Sequence, residues 1–131
     1  MTEPELPFPS GAFVDHLGLR ITDVAADRVV ATWTASEKHH QPYGIVHGGV
    51  HASVVETLGS VGSAMWFGDR GKVVGVNNST DFYRAVREGE MTSVATPIHQ
   101  GRTQQVWVVE TRDADGRLVS RGQLRVQNLP D

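Results

Sequence analysis

The run Gln41-Pro-Tyr-Gly-Ile-Val-His47-Gly48-Gly49 ends where an apolar, helically spaced segment begins. A glycine pair at a helix start leaves bare backbone N–H groups open to a ligand, and the helix dipole adds positive potential there. Such a terminus holds a phosphate, or polarises a carbonyl as an oxyanion hole does. The same pair also serves as an ordinary tight loop entry, since the motif by itself is unspecific. Glu56 follows two turns into the segment, in a stripe otherwise made of Ser53, Ser60 and Ser63, with Val54, Val55 and Leu58 around it. A carboxylate held against that much apolar surface is a candidate general base, because desolvation makes carboxylates more basic. A Glu56 turned to solvent is the competing reading.

Four histidines raise metal chemistry, with His47 and His51 at i, i+4 and His39 and His40 just upstream. Gly48, however, stands where H-E-x-x-H needs its glutamate, and no third ligand has convincing spacing, so no metal is expected. His39 and His40 read as loop surface, and His51 as a packing or interface residue. No G-x-S-x-G is present, so a Ser–His–Asp triad carries little weight. Gly71-Lys72 lacks the upstream spacing and the following Ser/Thr of a P-loop. Asp81-Phe-Tyr-Arg84 and Gly101-Arg102-Thr103 set arginines near strand ends, where a guanidinium suits bidentate phosphate contact. A solvated arginine at a strand end fits each one equally well.

Positioning these groups requires a rigid frame, and the spacing supplies one. Val50, Val54, Leu58, Val61 and Met65 recur at helical intervals, which predicts a long helix over 48–67 closed by Gly68–Gly71. Gly59 and Gly62 each cost such a helix about 1 kcal/mol relative to alanine, so a sheet wrapped closely against them is expected. Ser10 is a candidate N-cap for a short helix over 11–17, with Gly18 suited to its end. Residues 1–10 read as a loose leader, and 37–47 as a loop. β-branched residues from Leu19 to Trp33, broken at Ala25-Ala-Asp27, predict a strand pair. Further strands are expected over Val73–Phe82, Thr92–His99, Thr103–Thr111 and Leu118–Val126, the last two joined at the turn signal Asp113-Ala-Asp-Gly116. In the last strand, Leu118, Ser120, Gly122, Leu124 and Val126 share one face. The expected fold class is α+β, one domain with an antiparallel sheet covered on one face by one helix. Its other face and its edges then need cover, which a partner subunit can supply.

Composition narrows the function. The 131 residues are 39% hydrophobic and 21% charged, the balance of a globular protein, and carry a net charge of −3 without a basic block. That argues against nucleic acid as a partner. No apolar run reaches membrane-span length, and the acidic, proline-rich start MTEPELPFPS does not read as a signal peptide, so a cytoplasmic protein is expected. The absence of cysteine excludes disulfides, thiolate metal sites and cysteine nucleophiles.

Taken together, Q-P-Y-G-I-V-H-G-G, then E-T-L-G-S, then V-G-V-N-N-S-T-D-F and G-R-T-Q-Q-V-W resemble hotdog-fold acyl-CoA thioesterases, in the branch of 4-hydroxybenzoyl-CoA and phenylacetate-pathway thioesterases. The likeness runs from about Phe13 to Asn128, with H-G-G and the acidic residue eight positions after Gly48 as its most specific part. The resemblance implies a sheet wrapped around a long central helix and hydrolysis of an acyl-CoA without a metal or redox cofactor. It implies Glu56 as nucleophile or general base and the Gly48 N–H as the donor that polarises the thioester oxygen. Gln41 matches a side chain supplied by the neighbouring subunit's loop, and His47 matches a histidine near the thioester. Ser60 matches a hydroxyl that holds the carboxylate or the water. Arg84, Arg102 and Thr103 fall near positions that grip CoA, and Phe82, Tyr43 and Trp66 are candidates for the acyl pocket or the core. The same family implies a homodimer with shared active sites, with dimers often paired into tetramers.

Two other readings use the same residues. A hotdog-fold dehydratase or hydratase would employ a histidine with a carboxylate for proton transfer at Cα and Cβ, whereas His47 adjoins the candidate oxyanion glycine. A non-catalytic acyl-CoA binding module would leave Glu56 structural.

Overall fold

In the computed structural model, which describes residues 4–131, the apolar spacing becomes one 20-residue helix, α2 (Gly48–Phe67). Val54, Val55, Leu58 and Val61 are at most 1% exposed and face the sheet. A Cβ on Gly59 would stand 2.6 Å from Leu124 Cδ2, and one on Gly62 would stand 2.5 Å from Trp107 Cη2. The two glycines are therefore where the sheet lies against the helix backbone, as their cost in a helix implied. Ser63 departs from the expected polar stripe, being fully buried. The sheet closes over the last turns of α2, where Gln105 Nε2 donates to the Ser63 carbonyl at 3.1 Å. The stripe is thus open at Glu56 and covered at Ser63.

The sheet is built from β1 (Arg20–Ala25), β2 (Arg28–Ala35), β3 (Gly71–Phe82), β4 (Gly89–Gln100), β5 (Gln104–Arg112) and β6 (Leu118–Pro130). Every pairing is antiparallel, in the order β1-β2-β4-β5-β6-β3. This is the expected α+β architecture, a sheet around one long helix. The inward face of β6 is as expected, with Ser120, Gly122, Leu124 and Val126 buried. Val119, placed on the outer face by alternation, is also buried, and its carbonyl receives the Tyr83 N–H at 2.8 Å. β3 skips its sequence neighbour β4 and pairs with β6, so β3 and β1 are the edges of the sheet. Val74 and Val76 on β3 are 45% and 47% exposed, apolar side chains on an open edge.

One irregularity in β3 matters for the site. Gly75 pairs with Val126 and Asn77 with the next β6 residue, Arg125, which leaves Val76 as an extra residue, a β-bulge. Strict alternation from Val73 and Gly75 would send Asn77 and Ser79 towards the helix. The bulge reverses that parity. Asn78 and Thr80 lie opposite Leu124 and Gly122 of β6, both buried, and face α2 instead.

α1 (Gly11–Leu17) ends at Gly18, whose φ of 76° suits glycine. Ser10 precedes it without capping it, because the Ser10 hydroxyl donates to the Asp15 carboxylate rather than accepting from the helix N–H groups. The expected loose leader falls partly on residues 1–3, outside the described residues; Leu6 packs against the core. His39, expected at the loop surface, is 2% exposed. Its Nε2 bonds the Leu17 carbonyl at 2.8 Å and its Nδ1 accepts the Ser36 N–H at 3.1 Å, so both ring nitrogens serve to tie the loop to α1. Among the described residues no helix is long and apolar enough to cross a membrane.

Candidate active site

The loop before α2 is fastened by its backbone. Gln41 N–H donates to the Ile45 carbonyl at 2.8 Å, Gly44 N–H to the Gln41 carbonyl at 2.9 Å, and Val46 N–H to the Val86 carbonyl at 2.8 Å. His47 then caps the helix: its extended backbone turns the chain, and its Nδ1 accepts the Gly49 N–H at 2.8 Å. That bond commits Nδ1 as an acceptor and leaves the ring proton on Nε2. The Gly48 N–H belongs to the first-turn donors that have no intrahelical partner. Phe82 lies over this glycine, since a Cβ there would stand 2.5 Å from Phe82 Cε2.

Gln41, Gly48, Phe82 and Arg84 line one cleft of about 260 Å³ at this end of the helix. His51 also lines it, 3% exposed, with its ring edge-on to Trp33 and tilted against Phe82. Burial, and secondarily the nearby His39, lower the His51 pKa to about 4, so the ring is neutral at pH 7. The expectation of a packing residue holds. Among the described residues no three His, Cys, Asp or Glu side chains converge as metal ligands.

Glu56 occupies a different cavity. It shares a space of about 520 Å³ with Ser53, Ser60 and Asn78, walled by Leu6, Phe8, Phe13, Val14 and Ile21. Within one chain Glu56 is exposed, so its own chain does not desolvate it. Its seat is nonetheless specific. Asn78 Nδ2 donates to Glu56 Oε1 at 3.2 Å, and a Cβ on Gly75 would overlap the carboxylate. Ser60 stands one turn further along the same wall.

The expected residues thus fall into separate groups. Glu56 and Ser60 are together; Gln41, Gly48, Phe82 and Arg84 are together, with His47 at the helix start. Eight residues of helix put Gly48 and Glu56 about 12 Å apart along the axis. Arg102 and Thr103 join neither group. Asn128 Nδ2 holds the Gly101 and Arg102 carbonyls at 3.0 and 3.2 Å, and Asn128 pairs with Val73, so that turn sits at the far end of β3 from Arg84. Of the aromatic candidates, Tyr43 is 84% exposed, and Trp66 lies under the Arg70 guanidinium at 4.4 Å. The aromatic wall beside Glu56 comes instead from Phe8, in the expected leader, and Phe13, in the short helix α1, neither of which was singled out for the site. Asn78 was also missed. A glycine and two asparagines inside one strand, all poor strand formers, were the available sign.

Comparison with known proteins agrees with this architecture. Residues 43–120 match the family model described as Thioesterase superfamily. The chain is 38% identical over 107 residues to the proofreading thioesterase EntH of Cronobacter turicensis, spanning 82% of this chain and 78% of that protein. Among solved structures, AziG of S. sahachiroi superposes with a TM-score of 0.92 at 52% identity, covering 94% of this chain and all of that one. Thioesterase HI1161 of Haemophilus influenzae superposes with a TM-score of 0.86 at 33% identity, covering 92% and 85% of the two chains. With its long helix in an antiparallel sheet, its H-G-G helix start and its helical glutamate, the chain belongs to the thioesterase superfamily.

Proposed function

We propose that the protein hydrolyses acyl-CoA thioesters at a site completed by two copies of the chain. The observation that carries this reading is the Glu56 carboxylate, tethered at the rim of an apolar cavity of about 520 Å³, large enough for an aryl or medium-chain acyl group. The Gly48 N–H polarises the thioester oxygen, and Gln41 positions the thioester or the water from the same cleft. The Glu56 carboxylate attacks the carbonyl carbon or takes a proton from the attacking water. Both routes add one water across the C–S bond and release the free acid and the CoA thiol. Ser60, one turn from Glu56, holds the carboxylate or the water. Arg84, beside the Gly48 cleft, offers its guanidinium to a CoA phosphate. Arg102 and Thr103 belong to this site only if a further copy brings their turn to it.

The separation of about 12 Å between Gly48 and Glu56 in one chain is too long for both to act on one carbonyl. The open β3 edge, with Val74 and Val76 exposed, is suited to pairing with β3 of a second copy. A two-fold axis there runs the two α2 helices antiparallel and brings the start of one towards the middle of the other. The hydratase reading requires a histidine free to move protons, whereas His47 Nδ1 is committed to the Gly49 N–H.

The test is release of free thiol from a panel of aryl-, short- and medium-chain acyl-CoA esters, with Glu56→Gln alongside. Turnover by the native protein that the variant loses supports the reading. Turnover unaffected by the variant, or tight acyl-CoA binding with no turnover, would overturn it.

A further inference from the structure

Glu56 projects from a helix, and a glutamate on a helix has three rotatable bonds. Its aim therefore depends on what receives it, and the receiver is on β3. Asn78 Nδ2 donates to two atoms of α2 at once, the Ala52 carbonyl at 2.9 Å and Glu56 Oε1 at 3.2 Å. Both are acceptors only, so the NH₂ side of the amide must face them. The other side of the amide is fixed as well, because the Thr80 hydroxyl donates to Asn78 Oδ1 at 2.7 Å. A flipped amide would set Oδ1 against the Ala52 carbonyl and Glu56 Oε1 and lose both of those hydrogen bonds. Ala52 and Glu56 are one turn apart, so a single side chain bridges the helix backbone and the carboxylate. Gly75 completes the seat by leaving the space the carboxylate occupies.

None of this would exist without the extra residue Val76. In an unbulged strand, Asn78 and Thr80 would point away from α2. Bulges next to active sites commonly re-aim a side chain in this way. From the hydrogen bonds and the register we infer that Asn78, turned inward by the Val76 bulge and oriented by Thr80, is a positioning residue that holds the Glu56 carboxylate in its reacting orientation. The inference rests on the proposed role of Glu56 and adds the group that directs it. Asn78 holds the carboxylate from the rim of the same cavity, so its removal should act on turnover far more than on binding.

The experiment compares Asn78→Ala, Thr80→Val, Glu56→Gln and the double variant Asn78→Ala/Glu56→Gln on the best acyl-CoA substrate of the panel, with thermal melting of each. Asn78→Ala is expected to lower kcat about 10- to 100-fold, the scale of one hydrogen bond to a charged group, with KM unchanged. Thr80→Val should give a smaller loss of the same kind, since the amide stays but loses its orienting partner. In the Glu56→Gln background, Asn78→Ala should make no further difference. Native kcat in both Asn78→Ala and Thr80→Val, or an Asn78→Ala loss that persists undiminished in the Glu56→Gln background, would overturn the inference. If Asn78→Ala does not fold, Thr80→Val decides the matter by its kcat alone. Full activity of Glu56→Gln is a separate outcome, and it would overturn the catalytic reading on which the inference depends.

Discussion

The start of α2 and the stretch two turns along it make opposite provisions. At the start, Gly48 presents backbone, His47 spends a ring nitrogen on capping, and Arg84 supplies positive charge. Two turns on, Glu56 presents a carboxylate held by Asn78 and bordered by apolar walls. The first region suits a developing negative charge and a phosphate; the second suits an attacking group and a hydrocarbon. A thioester hydrolase needs both around one carbonyl, and one helix holds them about 12 Å apart. The difference argues that the catalytic unit is larger than the chain.

The sharpest way to break this contrast is to remove the carboxylate. Glu56→Gln should lower kcat by about 10²- to 10⁴-fold in a thiol-release assay, the range of a positioned general base, while acyl-CoA binding measured by calorimetry persists. Gly75→Ala keeps the carboxylate in the chain but takes the space it occupies. Displacing a reacting group by about 1 Å costs on the order of 100-fold, so kcat should fall by that order with the fold intact by circular dichroism.

At the start of the helix, His51 should make stability depend on pH. Its folded pKa of about 4 lies below the ordinary histidine value of 6.5, so between those values the unfolded chain binds the extra proton. Its contribution is fully present above pH 6.5 and is lost as pH falls towards 4, by up to about 3 kcal/mol. Denaturant melts across that window should show native protein losing this increment as the pH drops and His51→Leu lacking the loss. The smallest effect belongs beneath both regions: Gly62→Ala drives a methyl into the Trp107 ring and should cost about 1–3 kcal/mol in the same melts.

How far the sequence reading reached follows from what each signal was made of. Gly59 and Gly62 were informative because glycine inside a helix is costly, and they do lie against Leu124 and Trp107. The limits of α2 were legible from the spacing of Val54, Leu58 and Val61. The Val76 bulge was not legible. An inserted residue of ordinary type leaves no compositional mark, yet it decides which face Asn78 occupies. Phe8 was passed over because its acidic and proline-rich neighbours resemble a tail, and Phe13 because a short helix gives no sign of what it faces; only their packing places them beside Glu56. His39 looked like a polar loop residue because its burial depends on Leu17 and Ser36, partners that no periodicity announces.

The proposed sharing of each catalytic site between two copies is open to a direct test by subunit mixing. Glu56→Gln and Gln41→Ala are each impaired alone, one in the carboxylate half and the other in the loop half. Unfolded together and refolded, they should regain about a quarter of native thioesterase activity, because half of the dimers are mixed and each mixed dimer holds one intact site of two. A mixture no more active than its separate components would contradict the shared site and return both halves to a single chain.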